Sequence, residues 1–470
     1  MANVVVHKAR IGCVEFRSRD GVVVVSVIVR FYDAFGRDAG YALNGVRQST
    51  LGYGAATGRL VTMQAAGSDT PFTWSYLAGS DLKSSLTYPN GLTASWSYGN
   101  RGELLEVNNA SPTGTISRYA YTYDAAGRRV ACAKSGTAFE QSDSVNYGYN
   151  TRSELTNATA AVDSAYRYSY DFDDIGNRNT SSERDMNAIY AANNLNQYMS
   201  VDAFVPQYDA DGNQTLIKTT TGIWQVAYNG ENRPVLWTQG TNTISMSYDR
   251  MGRRVTKNDQ RFVYNGYLCI KKIDDSATAH SSLLPDHYFI WDPTEPVATR
   301  PLAWSTPTTN HESPITNFYT HDGNKNVSEV IASNNDVAAH YEYAPFGAVS
   351  VQRGVCSRLN LWRFSGEYAD DEVGCVYYNF REYEPISGRW MSRDPLDDGN
   401  LYAFIGNYLE TDDLLGLISV EELFSSYFNP SAVGSFNKDI IRAPLGSGFF
   451  VLSASVSIEI FSCCILFLRL

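Results

Sequence analysis

Histidine, cysteine and basic residues are scarce in this chain of 470 residues, and each shortage argues against a class of protein. There are 6 His and 7 Cys without any C-x-x-C spacing, which argues against structural zinc and against a disulfide scaffold. The 38 Lys and Arg are outnumbered by 50 Asp and Glu, for a net charge of −12, which argues against binding nucleic acid through a basic surface. We predict neither a metal nor a cofactor.

The N-terminal residues do not have the pattern of a secretory signal peptide. The apolar run Val22–Val29 is eight residues long and follows both basic and acidic residues, whereas a signal peptide places a longer apolar stretch directly after a short basic start. The run is typical of a buried strand, and we interpret residues 1–30 as an N-terminal strand segment. We expect either export by another route or a chain that lacks the front of a longer protein.

Aromatic residues and glycine are plentiful. The chain has 32 Tyr, 21 Phe and 36 Gly, while hydrophobic residues make up 43% and charged residues 19%. Such a chain can bury a core, and its richness in tyrosine and glycine is typical of β-structure with many turns.

The element Tyr-Asp-x-x-Gly-Arg/Asn recurs along the chain. Clear copies start at Tyr32, Tyr123, Tyr208 and Tyr248, and looser copies start at Tyr149, Tyr170 and Tyr228. Successive tyrosines from 149 to 248 are separated by 21, 38, 20 and 20 residues, and Tyr190 divides the long gap into 20 and 18. A period near 20 residues indicates a repeat architecture.

The chemistry of this element predicts a β-hairpin. The Asp or Asn can accept hydrogen bonds from backbone N–H groups two residues on, and glycine supplies the positive φ of the turn. Before the turn, Tyr119, Tyr121 and Tyr123 alternate along one strand face. We therefore predict an all-β fold in which residues 31–360 form antiparallel hairpins that pair edge to edge. The tyrosines either stack as a structural ladder or form an aromatic platform that binds glycans.

These repeats resemble those of the rearrangement hot spot (Rhs), or YD-repeat, family. Asn194-Leu195-Asn196-Gln197-Tyr198 matches the family's N-x-L-N-Q-Y phrase, and Tyr341–Gly347 matches its Y-x-Y-D-P-F-G with Ala344 in place of Asp. The most specific match is to the Rhs repeat-associated core, with Tyr383-Glu384-Pro385-Ile386-Ser387-Gly388-Arg389-Trp390-Met391-Ser392-Arg393-Asp394-Pro395, then Asn400-Leu401-Tyr402, and finally Asp413-Leu414-Leu415-Gly416-Leu417.

The resemblance implies a function. In this family the repeats coil into a β-shell that encloses a C-terminal toxic segment, and the core, here residues 361–417, forms a plug that often acts as an intramolecular aspartyl protease. Such proteins are secreted or cell-surface bacterial toxins or toxin carriers. The expected partners are the chain's own C-terminal segment, an immunity protein and a secretion-system spike. The alternative is a structural or adhesive cell-surface protein that binds glycans through its aromatic faces.

The family pattern also implies a cleavage site. Asp394 matches the catalytic aspartate of S-R-D-P, Arg393 matches the adjacent arginine, and the scissile bond is Leu417–Ile418. Carboxylate hydrolysis needs a second carboxyl group, so that one acts as base and the other as acid. Asp397, Asp398, Asp412 and Asp413 are all candidates for it, and Asp413 is our choice. The competing interpretation makes Arg393-Asp394-Pro395 a salt-bridged turn. Leu414 stands where the family has a proline, which removes a backbone constraint.

Residues 418–470 form the variable tail, which has no histidine. It contains no recognisable catalytic constellation, and its apolar end is interrupted by Glu459. Three interpretations stay open, namely a membrane-active peptide, a buried strand pair and the remnant of a larger toxin.

A third class of function, a glycoside hydrolase, would need a pair of acids such as Asp173-Asp174 or Asp370-Asp371. Adjacent residues on a strand point to opposite faces, so neither pair suits this chemistry.

Overall fold

The computed structural model describes residues 8–17, 23–184, 186–275, 286–295, 299–306, 315–395, 399–407 and 409, and the strands 441–445 and 448–452. The chain divides into two compact units, Met1–Leu417 and Ile418–Leu470. In the described part of the chain, no helix has the length and hydropathy needed to cross a bilayer.

The larger unit begins with a four-stranded antiparallel sheet in sequence order. Its strands are β1 (Lys8–Arg17), β2 (Val23–Tyr32), β3 (Asp38–Leu43) and β4 (Val46–Arg47). The predicted N-terminal strand is therefore present as β2, and it pairs with β1 over its whole length, from Tyr32 against Lys8 to Val23 against Arg17.

Two 14-stranded antiparallel sheets follow, each in sequence order. The first sheet contains β5 (Ser49–Tyr53), β6 (Leu60–Ala65), β7 (Phe72–Tyr76), β8 (Lys83–Thr87), β9 (Thr93–Tyr98), β10 (Leu104–Ser111), β11 (Gly114–Tyr123), β12 (Arg129–Ser135), β13 (Asp143–Tyr149), β14 (Leu155–Ala160), β15 (Arg167–Phe172), β16 (Arg178–Glu183), β17 (Met186–Ala192) and β18 (Tyr198–Val201).

The second sheet contains β19 (Gln207–Tyr208), β20 (Gln214–Thr219), β21 (Gly222–Tyr228), β22 (Pro234–Gln239), β23 (Asn242–Tyr248), β24 (Arg254–Lys257), β25 (Gln260–Asn265), β26 (Leu268–Asp274), β27 (His287–Trp291), β28 (Pro301–Thr306), β29 (Ile315–His321), β30 (Val327–Ala332), β31 (Val337–Tyr343) and β32 (Val349–Arg353). The predicted all-β fold of successive antiparallel hairpins is confirmed.

The ladder of strand pairing is interrupted between the two large sheets, where β18 does not pair with β19. The chain turns back on itself there through a bridge between Val201 and Phe204. The backbone N–H of Tyr198 then donates to the hydroxyl of Tyr208 at 3.2 Å, so a side chain takes the place of a backbone partner. The hairpins consequently form two sheets, whereas the repeat pattern alone predicted one continuous wall.

The repeated turn has the predicted geometry and one addition to it. Asp124 Oδ1 accepts the backbone N–H groups of Ala126 and Arg128, both at 2.9 Å, while its Oδ2 accepts Arg128 Nε at 2.7 Å. Gly127 has φ +87°, where L side chains are strained. The last position of the element therefore needs a side-chain donor, and this explains why it is Arg or Asn.

At seven described turns, the tyrosine before the turn tethers it to the preceding hairpin. Tyr123 donates its hydroxyl to the carbonyl oxygen of Leu104 at 2.6 Å, and Tyr248 donates to that of Pro234 at 2.8 Å. The same bond is made by the hydroxyls of Tyr53, Tyr76, Tyr149, Tyr228 and Tyr343. The turn of Asp173 follows Phe172 instead, which has no hydroxyl, so the bond is common among the turns but not required for one to form.

The two large sheets pack against each other through buried aromatic and polar contacts. Phe72 on β7 contacts Phe318 on β29 with ring centroids 6.2 Å apart. Tyr88 donates its hydroxyl to the carbonyl oxygen of Tyr319 at 2.8 Å, and Asn109 donates to that of His321 at 3.0 Å. One hydrophobic cluster therefore contains residues of both sheets.

The smaller unit has one strand pair in its described part. The strands β37 (Ile441–Leu445) and β38 (Gly448–Leu452) are antiparallel, with Ile441 opposite Leu452. The strand-pair interpretation of the tail agrees with this backbone pairing, and the side chains of the pair lie outside the described residues.

Candidate functional site

The core block of the sequence forms a small four-stranded sheet at the end of the larger unit. Its strands are β33 (Tyr368–Asp370), β34 (Cys375–Tyr377), β35 (Glu382–Glu384) and β36 (Arg389–Trp390), paired in sequence order. The strands are short, but nearly all of their residues are buried. Burial on both faces explains why this block shows no alternation of polar and apolar residues.

Aromatic rings hold the small sheet together. Tyr383 lies 4.2 Å from Phe404 and Tyr378 lies 4.9 Å from Trp390, measured between ring centroids. Phe364 belongs to the same cluster, and the 3-10 turn Phe364–Gly366 positions its ring there. The segment that follows β36 therefore begins at a strand whose Trp390 is held by this aromatic cluster.

That segment carries the predicted catalytic aspartate and folds back on itself. Trp390 donates its backbone N–H to the carbonyl oxygen of Tyr402 at 3.0 Å, and Asp394 donates its own to that of Leu401 at 2.8 Å. These two bonds attach the backbone of Trp390 and of Asp394 itself to residues 401 and 402. The position of the aspartate thus depends on the N-L-Y phrase of the core block.

The side chain of Asp394 forms an ion pair with Arg381. Its Oδ2 lies 2.7 Å from an Nη of Arg381, and the side chains are 8% and 2% exposed. The guanidinium of Arg381 also lies over the ring of Trp390, 3.9 Å from the centroid. Sequence reasoning missed Arg381, although it belongs to the core of residues 361–417, because nothing in the linear spacing brings it to Asp394.

Arg393 lies against one of the repeat turns. A Cβ built on Gly212 would collide with the guanidinium of Arg393 and would lie 2.6 Å from the hydroxyl of Tyr402. Gly212 has φ +88° and belongs to the repeat turn that starts at Tyr208. Arg393 therefore packs against a turn of the second sheet, where Gly212 lacks the side chain that would block it.

The remaining residues of the predicted cleavage site cannot be placed. Asp413, Leu417 and Ile418 lie outside the described residues, as do Asp397, Asp398 and Asp412. Of the predicted site residues, Asp394 lies beside Arg381 and Arg393 lies beside Gly212.

A second group of charged residues joins the small sheet to the second large sheet. Arg254 and Lys257 on β24 both form ion pairs with Asp370 at the end of β33. Arg254 is also 3.7 Å from the carboxylate of Glu382 on β35, while Lys257 is 2.5 Å from that of Glu372. Four of these five side chains are almost fully buried, so the cluster is a polar core between the two sheets.

The pKa values of two carboxyl groups in this cluster are shifted in opposite directions. Burial raises the pKa of Asp370, but the charges of Arg254 and Lys257 outweigh burial and hold the pKa below its usual value. Burial, reinforced by the negative charge of Asp370, raises the pKa of Glu382 well above its usual value. Within the described residues, neither carboxyl oxygen of Glu382 has a hydrogen-bond partner. The surroundings therefore favour the protonated form of Glu382 and the ionised form of Asp370.

A third polar group lies where the two large sheets meet. His340 Nδ1 is 3.0 Å from Glu329 Oε1, and its Nε2 is 3.6 Å from Glu342 Oε1. Glu342 pairs in turn with Lys134 of the first sheet, and Ser117 of the first sheet donates to Glu329 at 2.7 Å. An open cavity of about 340 Å³ adjoins His340.

The pairs of adjacent acids go to different surroundings, as the strand argument requires. Asp370 is buried against Arg254, whereas Asp371 is 56% exposed and pairs with Arg363. Asp173 accepts the backbone N–H of Ile175 in a repeat turn, and Asp174 is fully exposed.

The tyrosines of the described strands give little support to a glycan platform. Every described tyrosine is buried or half-buried, and none belongs to the exposed class. The rings of Tyr166, Tyr168 and Tyr170, for example, lie in one buried cluster. These rings act as packing, so the ladder interpretation fits the structure.

Solved structures with the same fold come from toxin complexes. One chain of the crystal structure of TcdB2-TccC3-Cdc42 matches with a TM-score of 0.71 and 18% identity, covering 89% of this chain and 23% of that one. A chain of the Photorhabdus luminescens Tc holotoxin pore matches with a TM-score of 0.69 and 16% identity, covering 88% and 23%. At these identities the likeness establishes the fold.

Curated relatives are named as toxins. Double-stranded DNA deaminase toxin A of Burkholderia cenocepacia is 25% identical over 324 residues, covering 58% of this chain and 22% of the relative. Toxin subunit YenC1 of Yersinia entomophaga is 24% identical over 320 residues, covering 65% and 29%, and YenC2 is 33% identical over 109 residues, covering 22% and 10%. This chain thus spans less than a third of each relative. No protein-family model matches it. The chain has the β-fold of a toxin-complex component and resembles proteins that are toxins.

Proposed function

We propose that this chain is the wall and plug of a toxin shell that encloses and delivers its own C-terminal segment. The observation that carries the proposal is the packing of two 14-stranded sheets against each other, with the small sheet fixed to the second of them by buried charges. The relatives named as toxins support the same role. The enclosed segment would be residues 418–470.

We further propose that the chain cuts itself once, between Leu417 and Ile418. Asp394, as a carboxylate, takes a proton from a water molecule while the water oxygen attacks the carbonyl carbon of Leu417. The second carboxyl, assigned to Asp413, gives its proton to the nitrogen of Ile418 as the C–N bond breaks. The products are a carboxylate on Leu417 and an amine on Ile418. Because the substrate is part of the same chain, a single slow turnover suffices.

Intact-mass spectrometry of the purified chain tests the cleavage. We expect two fragments, of 417 and 470 − 417 = 53 residues, in place of one chain of 470. Asp394→Asn should restore the intact chain because the amide cannot accept the proton. Asp371→Asn is the matched control, since it neutralises an exposed aspartate of the same sheet and should leave cleavage unchanged. An uncut wild-type chain, or an Asp394→Asn chain cut at the same bond, would refute the self-cleavage proposal.

Limited proteolysis over a temperature series tests the enclosure. An enclosed tail is shielded by the shell, so residues 418–470 should resist a non-specific protease until the β-sheets melt. Far-ultraviolet circular dichroism over the same series gives the melting temperature. Digestion of the tail well below that temperature would mean that the tail is outside the shell. The self-cleavage proposal does not depend on this result.

A further inference from the structure

We infer that Arg381 is a positioning residue for the self-cleavage, because it holds the carboxylate of Asp394 in place. The inference rests on the proposed function, and it assigns to Arg381 a role that the sequence pattern offered only to Arg393. Arg381 stands thirteen residues before Asp394, on the turn between β34 and β35.

Two contacts fix Arg381 before it meets Asp394. Its backbone carbonyl accepts the N–H of Tyr378 at 3.0 Å, which sets the turn. Its guanidinium lies over the Trp390 ring at 3.9 Å, and Trp390 is held by Tyr378 in the aromatic cluster. A planar guanidinium can stack on a ring and donate hydrogen bonds from its edge at once, which an ammonium group cannot do. The ion pair with Asp394 is therefore the last contact of a pre-formed arrangement.

These contacts restrict the orientation of the Asp394 carboxylate, and a catalytic base needs a fixed orientation toward the proton that it accepts. An Nη of Arg381 holds Oδ2 at 2.7 Å, and the backbone N–H of Asp394 is held by Leu401. With one oxygen and the backbone fixed, the plane of the carboxylate is fixed, and so is the direction of Oδ1.

Arg393 is placed differently from Arg381. It lies on the glycine turn at Gly212, so the second sheet holds it. We therefore assign two separate tasks to the two arginines, the orientation of Asp394 to Arg381 and the attachment of the segment to the second sheet to Arg393.

The test follows self-cleavage during cell-free synthesis of the full chain. Samples are radiolabelled, chased for increasing times at pH values from 5 to 9, and separated by gel electrophoresis. The variants are Arg381→Met and Arg381→Lys. The matched control is Arg129→Met, because Arg129 is also buried and also lies 3.9 Å over a tyrosine ring, but it stands on β12 of the first sheet.

We expect Arg381→Met to slow cleavage about 10- to 100-fold, since a misplaced catalytic group commonly costs that much. Arg381→Lys should cleave more slowly than wild type, because it keeps the charge but lacks the planar geometry that stacks on Trp390. Arg129→Met should cleave at the wild-type rate. Cleavage in Arg381→Met at the wild-type rate and pH profile would overturn the inference and leave the self-cleavage proposal intact.

Two other outcomes decide the remaining cases. An Arg381→Lys chain that cleaves as fast as wild type would show that positive charge alone is sufficient, and it would overturn the positioning role even if Arg381→Met failed to fold. A wild-type chain that never cleaves would overturn the proposed function and, with it, the role of Arg381.

Discussion

Replacement of Asp370 by asparagine is the most direct test of how the small sheet is attached. The carboxylate of Asp370 neutralises both Arg254 and Lys257, whose side chains are almost fully buried. Asparagine has nearly the same shape, so the change removes charge without leaving a cavity. Breaking a buried ion pair by removing one partner costs about 3–5 kcal/mol. Because two buried cations lose their partner here, we expect a loss of free energy of unfolding at the upper end of this range.

Asp371→Asn provides the control one residue away. Its carboxylate is 56% exposed and pairs with Arg363, which also donates to the carbonyl oxygens of Ser357 and Asn360. Solvent screens such a pair, so its loss should cost at most about 1 kcal/mol.

Urea unfolding, followed by tryptophan fluorescence and by circular dichroism, gives the free energy of unfolding of each variant. Asp370→Asn should unfold at a clearly lower urea concentration than Asp371→Asn. The double variant Asp370→Asn/Lys257→Met should regain part of the loss, since it removes one of the stranded cations. Equal free energies of unfolding for the two single variants, to within about 0.5 kcal/mol, would refute the claim that Asp370 holds this cluster together.

Two further predictions concern the glycine turn and the sheet seam. Gly212→Ala should destabilise the chain more than Gly127→Ala, as measured by urea unfolding, because both glycines have nearly the same positive φ but only a Cβ at Gly212 meets Arg393. Equal losses would mean that Arg393 moves aside freely. Burial lowers the pKa of His340, but the hydrogen bond to Glu329 and the nearby carboxylate of Glu342 outweigh burial and raise the pKa above 6.5. The stabilisation by protonated His340 is therefore complete below about pH 6.5 and is lost as the pH rises through the raised pKa of His340. The difference in free energy of unfolding between wild type and His340→Gln should shrink from pH 5.5 to 8.5. A difference that stays constant over this range would refute the prediction.

The repeat turns could be predicted from sequence because every atom that defines them lies within a few residues. Asp124 bonds to residues two and four positions on, and Gly127 supplies the positive φ in the same element. Local chemistry of this kind is visible in the linear pattern. Even where the pattern fails, as at Ala344, the backbone bonds of the turn persist, with Ala344 donating to the carbonyl oxygen of Ala348 at 2.7 Å.

The polar contacts between sheets could not be predicted in this way. Ser117 and Glu329 are 212 positions apart, and Arg254 and Asp370 are 116 apart. No periodicity specifies which strand of one sheet faces which strand of the other. The partner of Asp394 was missed for a related reason, since Arg381 and Asp394 are separated by β35, β36 and the turn between them, and the linear spacing does not show how these strands pair.

The start of β35 connects the two charged groups of the core block, namely the Asp394–Arg381 pair and the cluster around Asp370. Arg381 and Glu382 are neighbours in the chain, and they take part in different contacts, Arg381 with Asp394 and Glu382 beside Arg254. Arg381 lies just before β35 and Glu382 begins it, and successive residues of an extended chain point to opposite sides, so the start of this strand serves both groups. The buried charges that fix the small sheet to β24 therefore also fix the support on which Asp394 is held. Because β35 is buried on both faces, it cannot shift to relieve one contact without disturbing the other.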